Sequence, residues 1–153
     1  MLFRRINRSD PEKVFVVVMN GYSTASLQNG YVVEWDFTTL VDGLGVTQPT
    51  ATTVSLGNAA AGVAVETIAH NAYGLVQVYG YHAAVHARKC TSATTSTDLI
   101  QLGMPLRANL AGGVWCAEGC DLDGTLNYKT IGFALQTYSS WTSSTIKAFI
   151  KAL

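Results

Sequence analysis

Ala61-Gly62-Val63-Ala64-Val65-Glu66-Thr67 and Ile131-Gly132-Phe133-Ala134-Leu135-Gln136-Thr137 are two versions of one pattern. Each carries glycine second, then alternates small and large residues, and ends on threonine. Each is followed, after a polar or aromatic link, by an apolar run, 75–79 in one copy and 146–150 in the other. Alternation with period two belongs to a strand. A glycine at its start suits a strand that bends tightly at a barrel or sandwich corner. The pairing also decides the chain's most ambiguous stretch, 144–153. There Ile146, Phe149, Ile150 and Leu153 fall on a helical stripe, while Ile146, Ala148, Ile150 and Ala152 alternate as in a half-buried strand. If the two copies are structural equivalents, this run is a strand. Two copies are too few for a solenoid.

Outward from that pattern, the chain reads as β throughout. Asn20-Gly21 and Asn29-Gly30 are strong turn dipeptides, Asp42-Gly43 and Gly57-Asn58 punctuate the next stretch, and glycine numbers 14. Between these signals, 13–19, 31–37, 61–69, 74–87, 104–108, 114–117 and 128–138 are strand candidates. Residues 47–55 are Thr-rich and extended, and 93–98 form a polar Ser/Thr loop. No helix longer than about three turns is expected. The expected architecture is all-β: one compact antiparallel β-barrel or β-sandwich over 13–153, preceded by a short N-terminal arm over 1–12.

Composition narrows the class of function. The chain has 153 residues, 48% of them hydrophobic and only 13% charged. At this length a single domain buries roughly 68–70% of its unfolded surface, so a core needs no disulfide staples. Few charges and many apolar groups exclude disorder. Lys+Arg 10 against Asp+Glu 10 leaves a net charge of zero, without the basic footprint of a nucleic-acid binder. No run approaches the ~18 apolar residues of a membrane helix, and Met1-Leu2-Phe3-Arg4-Arg5 lacks the apolar core of a signal peptide. Three cysteines without an export signal read as free thiols in a reducing compartment. So neutral a surface favours association, which points to a homo-oligomer, with a trimer preferred over a dimer.

Candidate chemistry is thin. His82 and His86, four apart, would share a strand face and could hold a metal with His70, but Ala83 stands where a metalloprotease has glutamate. Cys116 and Cys120 have zinc-like spacing, yet Cys90 and a histidine would have to converge from afar. Asp121-Leu122-Asp123-Gly124 opens like a calcium loop, and the bidentate glutamate expected later is missing. Glu34, Asp36 and Asp42 form the nearest carboxylate cluster, with Glu34 and Asp36 on one strand face. No nucleophile elbow, phosphate loop or dinucleotide fingerprint is present. The reading is no enzyme, no cofactor and no metal. Trp35, Trp115, Trp141 and seven tyrosines raise a carbohydrate platform, but Trp35, mid-strand, is expected to pack inward.

Several motifs in order carry a resemblance. They are Asp10-Pro11-Glu12-Lys13-Val14-Phe15-Val16-Val17-Val18, Leu27-Gln28-Asn29-Gly30-Tyr31-Val32-Val33-Glu34-Trp35-Asp36, the 61–67 pattern followed by Gly74-Leu75-Val76-Gln77-Val78-Tyr79-Gly80, then Gly103-Met104-Pro105-Leu106, and the 131–137 pattern before 146–150. Over 10–153 the chain resembles the head decoration (capsid cement) proteins of tailed bacteriophages and related phage structural proteins. The segment 116–124 departs from it, being richer in Cys and Asp. The resemblance implies a virion protein, made in the host cytoplasm, that binds the major capsid protein on the capsid exterior as a dimer or trimer. It implies no catalytic residue, no nucleic-acid partner and no membrane partner. Within the arm, Leu2, Phe3 and Ile6 are apolar and Arg4, Arg5 and Arg8 are its cations, which makes these six the expected capsid- or partner-binding residues. Two other classes remain open: a carbohydrate-binding β-module on a virion or cell surface, and a metal-dependent hydrolase using His82 and His86.

Overall fold

The computed structural model describes residues 12–40, 42–49, 59–88, 99–111, 114–119, 130–139 and 144–152, with backbone only for 109–111, 114–116, 118 and 119. Nine strands follow in order: β1 (Val14–Asn20), β2 (Val32–Trp35), β3 (Gly45–Thr47), β4 (Ala60–Ala64), β5 (Tyr73–Arg88), β6 (Pro105–Ala111), β7 (Val114–Gly119), β8 (Gly132–Ala134) and β9 (Ser144–Lys151). No helix occurs among the described residues. The C-terminal run is a strand, as the repeat requires.

The strands close twice. The order β1-β3-β2-β4-β5 returns on itself because β1 also pairs β5. The order β5-β7-β6-β8-β9 returns because β9 also pairs β5. The protein is thus two closed five-stranded rings that share β5, the first half of which completes the first ring and the second half of which begins the second. Full closure removes the exposed sheet edges that invite aggregation. Each ring contains one parallel ladder, β1 with β3 and β5 with β7, and the other ladders are antiparallel. A parallel neighbour needs a crossover, and here the intervening strand (β2 or β6) supplies it.

The rings are copies down to single hydrogen bonds. Val33 faces Gly62 in the first ring and Leu106 faces Gly132 in the second. Leu27 bridges Ile68 as Ile100 bridges Tyr138. The Gly30 amide donates to the Ala64 carbonyl at 2.8 Å, and the Gly103 amide to the Ala134 carbonyl at 2.8 Å. Gly62 and Gly132 have φ of +144° and +154°, and a Cβ on either would collide with a facing backbone carbonyl, that of Gln77 or Phe149. This is the physical meaning of the repeated glycine: the ring turns so tightly there that backbone lies directly on backbone.

Each ring surrounds its own core. Val18, Leu27, Val33, Val46, Ala61, Ala64, Ile68, Val76 and Val78 fill the first. Val85, Ala87, Ile100, Leu106, Ala117, Ile131, Ala134, Ile146, Ala148 and Ile150 centre the second, joined by Val32, Ala60 and Val63 from the outer face of the first. The rings are therefore packed against each other as well as tied by β5. Among the described residues the fully buried apolar side chains are all aliphatic, because five strands enclose too narrow a lumen for aromatic rings. Trp35 packs inward as expected: it stands opposite the core residue Val46 and lies half-buried against the first core, along with Tyr22 and Tyr31.

Candidate interaction surfaces

The histidine pair is divided by a bulge. His82 faces Ala148 and Val85 faces Ile146, so three steps along β5 match two along β9. One extra residue reverses the alternation beyond it. His82 consequently shares the inward face with Val85 and Ala87, while His86, opposite Thr145, lies on the outer face. The expectation that 82 and 86 share a face fails for this reason. Burial first, and the Lys13 charge second, hold the His82 pKa below its ordinary 6.5. Its Nδ1 accepts the Ala84 amide at 3.2 Å, which caps the bulge and requires the neutral ring. Burial also lowers the His86 pKa, and its buried Nδ1 has no hydrogen-bond partner. His70 sits in an exposed turn. Among the described residues no three His, Cys, Asp or Glu side chains converge as metal ligands would.

The carboxylates are engaged in architecture. Both Glu34 and Asp36 are buried. One Asp36 oxygen accepts the Thr38 amide, the Thr38 hydroxyl and the Thr39 amide, each at 2.9 Å. Burial works to raise the Asp36 pKa, and these hydrogen bonds outweigh it and leave the group below its ordinary 3.8. The side chain closes the turn after β2. Asp42 is exposed and accepts the Leu44 amide at 3.1 Å. Two buried amides went unnoticed in the sequence. Asn20 donates to the carbonyls of Ala25 (3.1 Å) and Ile68 (3.0 Å) and accepts the Tyr22 amide (2.9 Å). Gln77 donates to the carbonyls of Tyr79 and Tyr81, each at 3.1 Å, across the point where β5 passes between rings. Asn20-Gly21, read as a tight turn, is instead the end of β1, with the Gly21 amide donating to the Val46 carbonyl at 2.9 Å and the turn following at Ser23-Thr24; that the asparagine would be a buried clasp was not legible.

Leu2, Phe3, Arg4, Arg5, Ile6 and Arg8 lie outside the described residues, as do Cys90, Cys120, Trp141 and residues 121–124. Cys116 is placed only by its backbone, opposite Asn109.

Several large apolar side chains are open to a partner. On the β1–β5 ladder of the first ring, Phe15 stands opposite Gln77, Val17 opposite Leu75 and Met19 opposite Tyr73, all on the outer face. Phe15, Val17, Leu75 and Tyr73 are exposed, Val17 to 60%. On the second ring Phe149 lies between Tyr81 and Phe133 on the outer face, stacked on Phe133 at 6.4 Å and edge-on to Tyr79 at 5.2 Å. Leu102, at 70% exposure, crowns the turn before β6.

The architecture defines an all-β module of two closed rings, in which no three metal-ligating side chains converge among the described residues. Its fold is similar to that of the head fiber gp8.5 N base of bacteriophage phi29, with a TM-score of 0.52 and 15% identity over 92% of this chain and 96% of that one. No protein-family model matches the chain, and no curated protein does.

Proposed function

We propose that this chain is a structural protein of a phage virion, seated on the outside of the head as a homo-oligomer and stabilising the shell. The observation that carries the reading is the fold likeness to a phage head-fibre base, which runs through nearly the whole of both chains. Composition agrees with it: 13% charge and exposed apolar residues on both rings suit a protein covered by neighbours. The partners are the major capsid protein and further copies of the chain, with a trimer preferred. The N-terminal residues Leu2, Phe3, Arg4, Arg5, Ile6 and Arg8 are the proposed anchor, apolar groups for a groove and guanidinium groups for carboxylates. The chain performs no catalytic step and takes no cofactor, nucleic acid or membrane. The carbohydrate-binding reading has less support, since Trp35 packs against a core.

The test is cosedimentation of the purified chain with capsids lacking it, together with a capsid reconstruction. Saturable binding at symmetry-related exterior positions, weakened when residues 1–9 are deleted, is the expected result. Absence from purified virions by mass spectrometry would overturn the virion reading. Undiminished binding of the truncated chain would move the anchor to a ring-end loop.

A further inference from the structure

The two rings carry the same turn in two different circumstances. Residues 28–31 and 101–104 are matching β-turns. The Tyr31 amide donates to the Gln28 carbonyl at 3.0 Å, the Met104 amide to the Gln101 carbonyl at 3.0 Å, and Gly30 and Gly103 have φ of +85° and +81°. The first turn is docked on the second ring. Gly30's carbonyl accepts the His86 amide at 2.9 Å, the Tyr31 ring meets the His86 ring edge-on at 5.2 Å, and a Cβ on Gly30 would collide with the Ala84 carbonyl. The second turn is bare among the described residues: none of them lies within 4 Å of a Cβ built on Gly103.

The surface that receives the first turn also has a counterpart. Val85 and His86 face Ile146 and Thr145 on β9, as Val18 and Met19 face Gly74 and Tyr73 on β5. Ala84 and His86 on the second ring therefore correspond to Val17 and Met19 on the first. There the outer face is uncovered, with Val17 60% exposed and Tyr73 62%. Among the described residues the molecule thus holds one turn seated on one outer face, between its rings, and a second turn and a second outer face of the same kind that do not meet each other.

We propose that this chain associates head to tail, the 101–104 turn of one copy seating on the outer face of β1 of the next around Val17 and Met19. The side chains support the assignment because every substitution between the seated turn and face and the second pair runs toward apolar: Asn29 to Leu102, Tyr31 to Met104, Ala84 to Val17, His86 to Met19. Inside the chain the joint has a backbone hydrogen bond. Between copies that bond is absent, since the Met19 amide already donates to the Leu44 carbonyl at 2.8 Å, and apolar burial replaces it. Residues 99–104, β1, Tyr73 and Leu75 carry no charged side chain, and the Glu66 carboxylate beside them is held by the Leu75 amide at 2.8 Å. A head-to-tail contact is heterologous, and it closes into a ring when its rotation permits. The inference deepens the oligomeric part of the proposed function and is independent of capsid binding.

The experiment uses four samples of the full chain in analytical ultracentrifugation at micromolar concentration: wild type, Leu102→Asp, Val17→Asp, and an equimolar mixture of the two variants. The wild type is expected above the single-chain mass of 16.3 kDa. Each variant alone is expected at that mass, with the wild-type far-UV circular dichroism spectrum. The mixture is expected as a dimer, because the intact turn of Val17→Asp meets the intact face of Leu102→Asp. A monomeric wild type, variants that keep the wild-type mass, dissociation by Val17→Asp alone, or a mixture that stays monomeric would each overturn the proposal. Failure of the virion reading shows separately, in capsid cosedimentation of the wild type.

Discussion

The first and second rings share their ladders, bridges, turns and strategic glycines, yet they differ in what their side chains do at matching places. Asn20 in the first ring is a buried clasp with three hydrogen bonds. Its counterpart Ala87, one residue beyond His86 as Asn20 is beyond Met19, is a small apolar core residue. Gln77 clamps the shared strand, while its counterpart opposite the second ring's tight strand is the half-buried Phe149. The backbone demands have been kept and the side-chain solutions have diverged. A ring of five strands can close only if particular residues tolerate particular dihedral angles and contacts, whereas its core can be filled by many combinations of aliphatic volume.

The largest expected effect tests that equivalence directly. Gly62→Ala and Gly132→Ala should each destabilise the chain by about 2–4 kcal/mol, through backbone strain together with collision. Urea unfolding would measure both, and a near-neutral result at one site alone would break the correspondence of the rings. Gly30→Ala belongs with them, because it forces the docked turn away from Ala84. Next, Asn20→Ala gives the first ring the residue of the second. It removes one partner from three hydrogen bonds, one buried and two part-buried, and a loss of about 2–3 kcal/mol is expected. A much smaller loss would show that the clasp is ornamental.

The third effect is pH dependence, and it should reside in the second ring. His82 and His86 both have pKa values lowered by burial, with the Lys13 charge adding to the effect at His82. Below pH 6.5 the unfolded chain binds protons that the folded chain resists, so stability present at neutral pH is lost as pH falls. Melting temperature should drop between pH 7.5 and 5.5, and His82→Gln should flatten that drop. An unchanged slope in the variant would remove His82 from the account. Asp36 has the same sign in a lower window, its contribution being lost as pH falls below 3.8. The smallest effect is Gly103→Ala. It meets only the strain of positive φ, about 1 kcal/mol, because no described residue surrounds it in the single chain. The difference between Gly30→Ala and Gly103→Ala measures the intramolecular joint.

Much of this architecture was legible because backbone demands leave marks. The repeated glycine at 62 and 132 located two equivalent strands and turned the ambiguous C-terminal run into β9. The Asn29-Gly30 dipeptide marked a turn that the structure contains. The reach of the duplication was hidden, since Leu27 with Ile68 and Ile100 with Tyr138 are matched only in being apolar. The histidine pair misled for a related reason: counting by twos assumes an unbroken ladder, and the bulge between 82 and 85 adds a residue that leaves no mark in composition. C-terminal strand ends were overestimated at 61–69 and 128–138, where β4 stops at Ala64 and β8 at Ala134. Both strands give way to bends at Val65-Glu66 and Leu135-Gln136.

By itself, the sequence determined what each short segment can be. Period-two alternation, β-branched residues and turn dipeptides act over a few residues, so they specify strands, turns and an all-β chain. The tertiary structure decided what those strands do to one another. Two closures on one shared strand, the opposite faces of His82 and His86, and the docking of one turn, with its twin bare among the described residues, all depend on register between segments far apart in the chain. Register is an energy of packing and hydrogen bonding between strands, and no local pattern contains it.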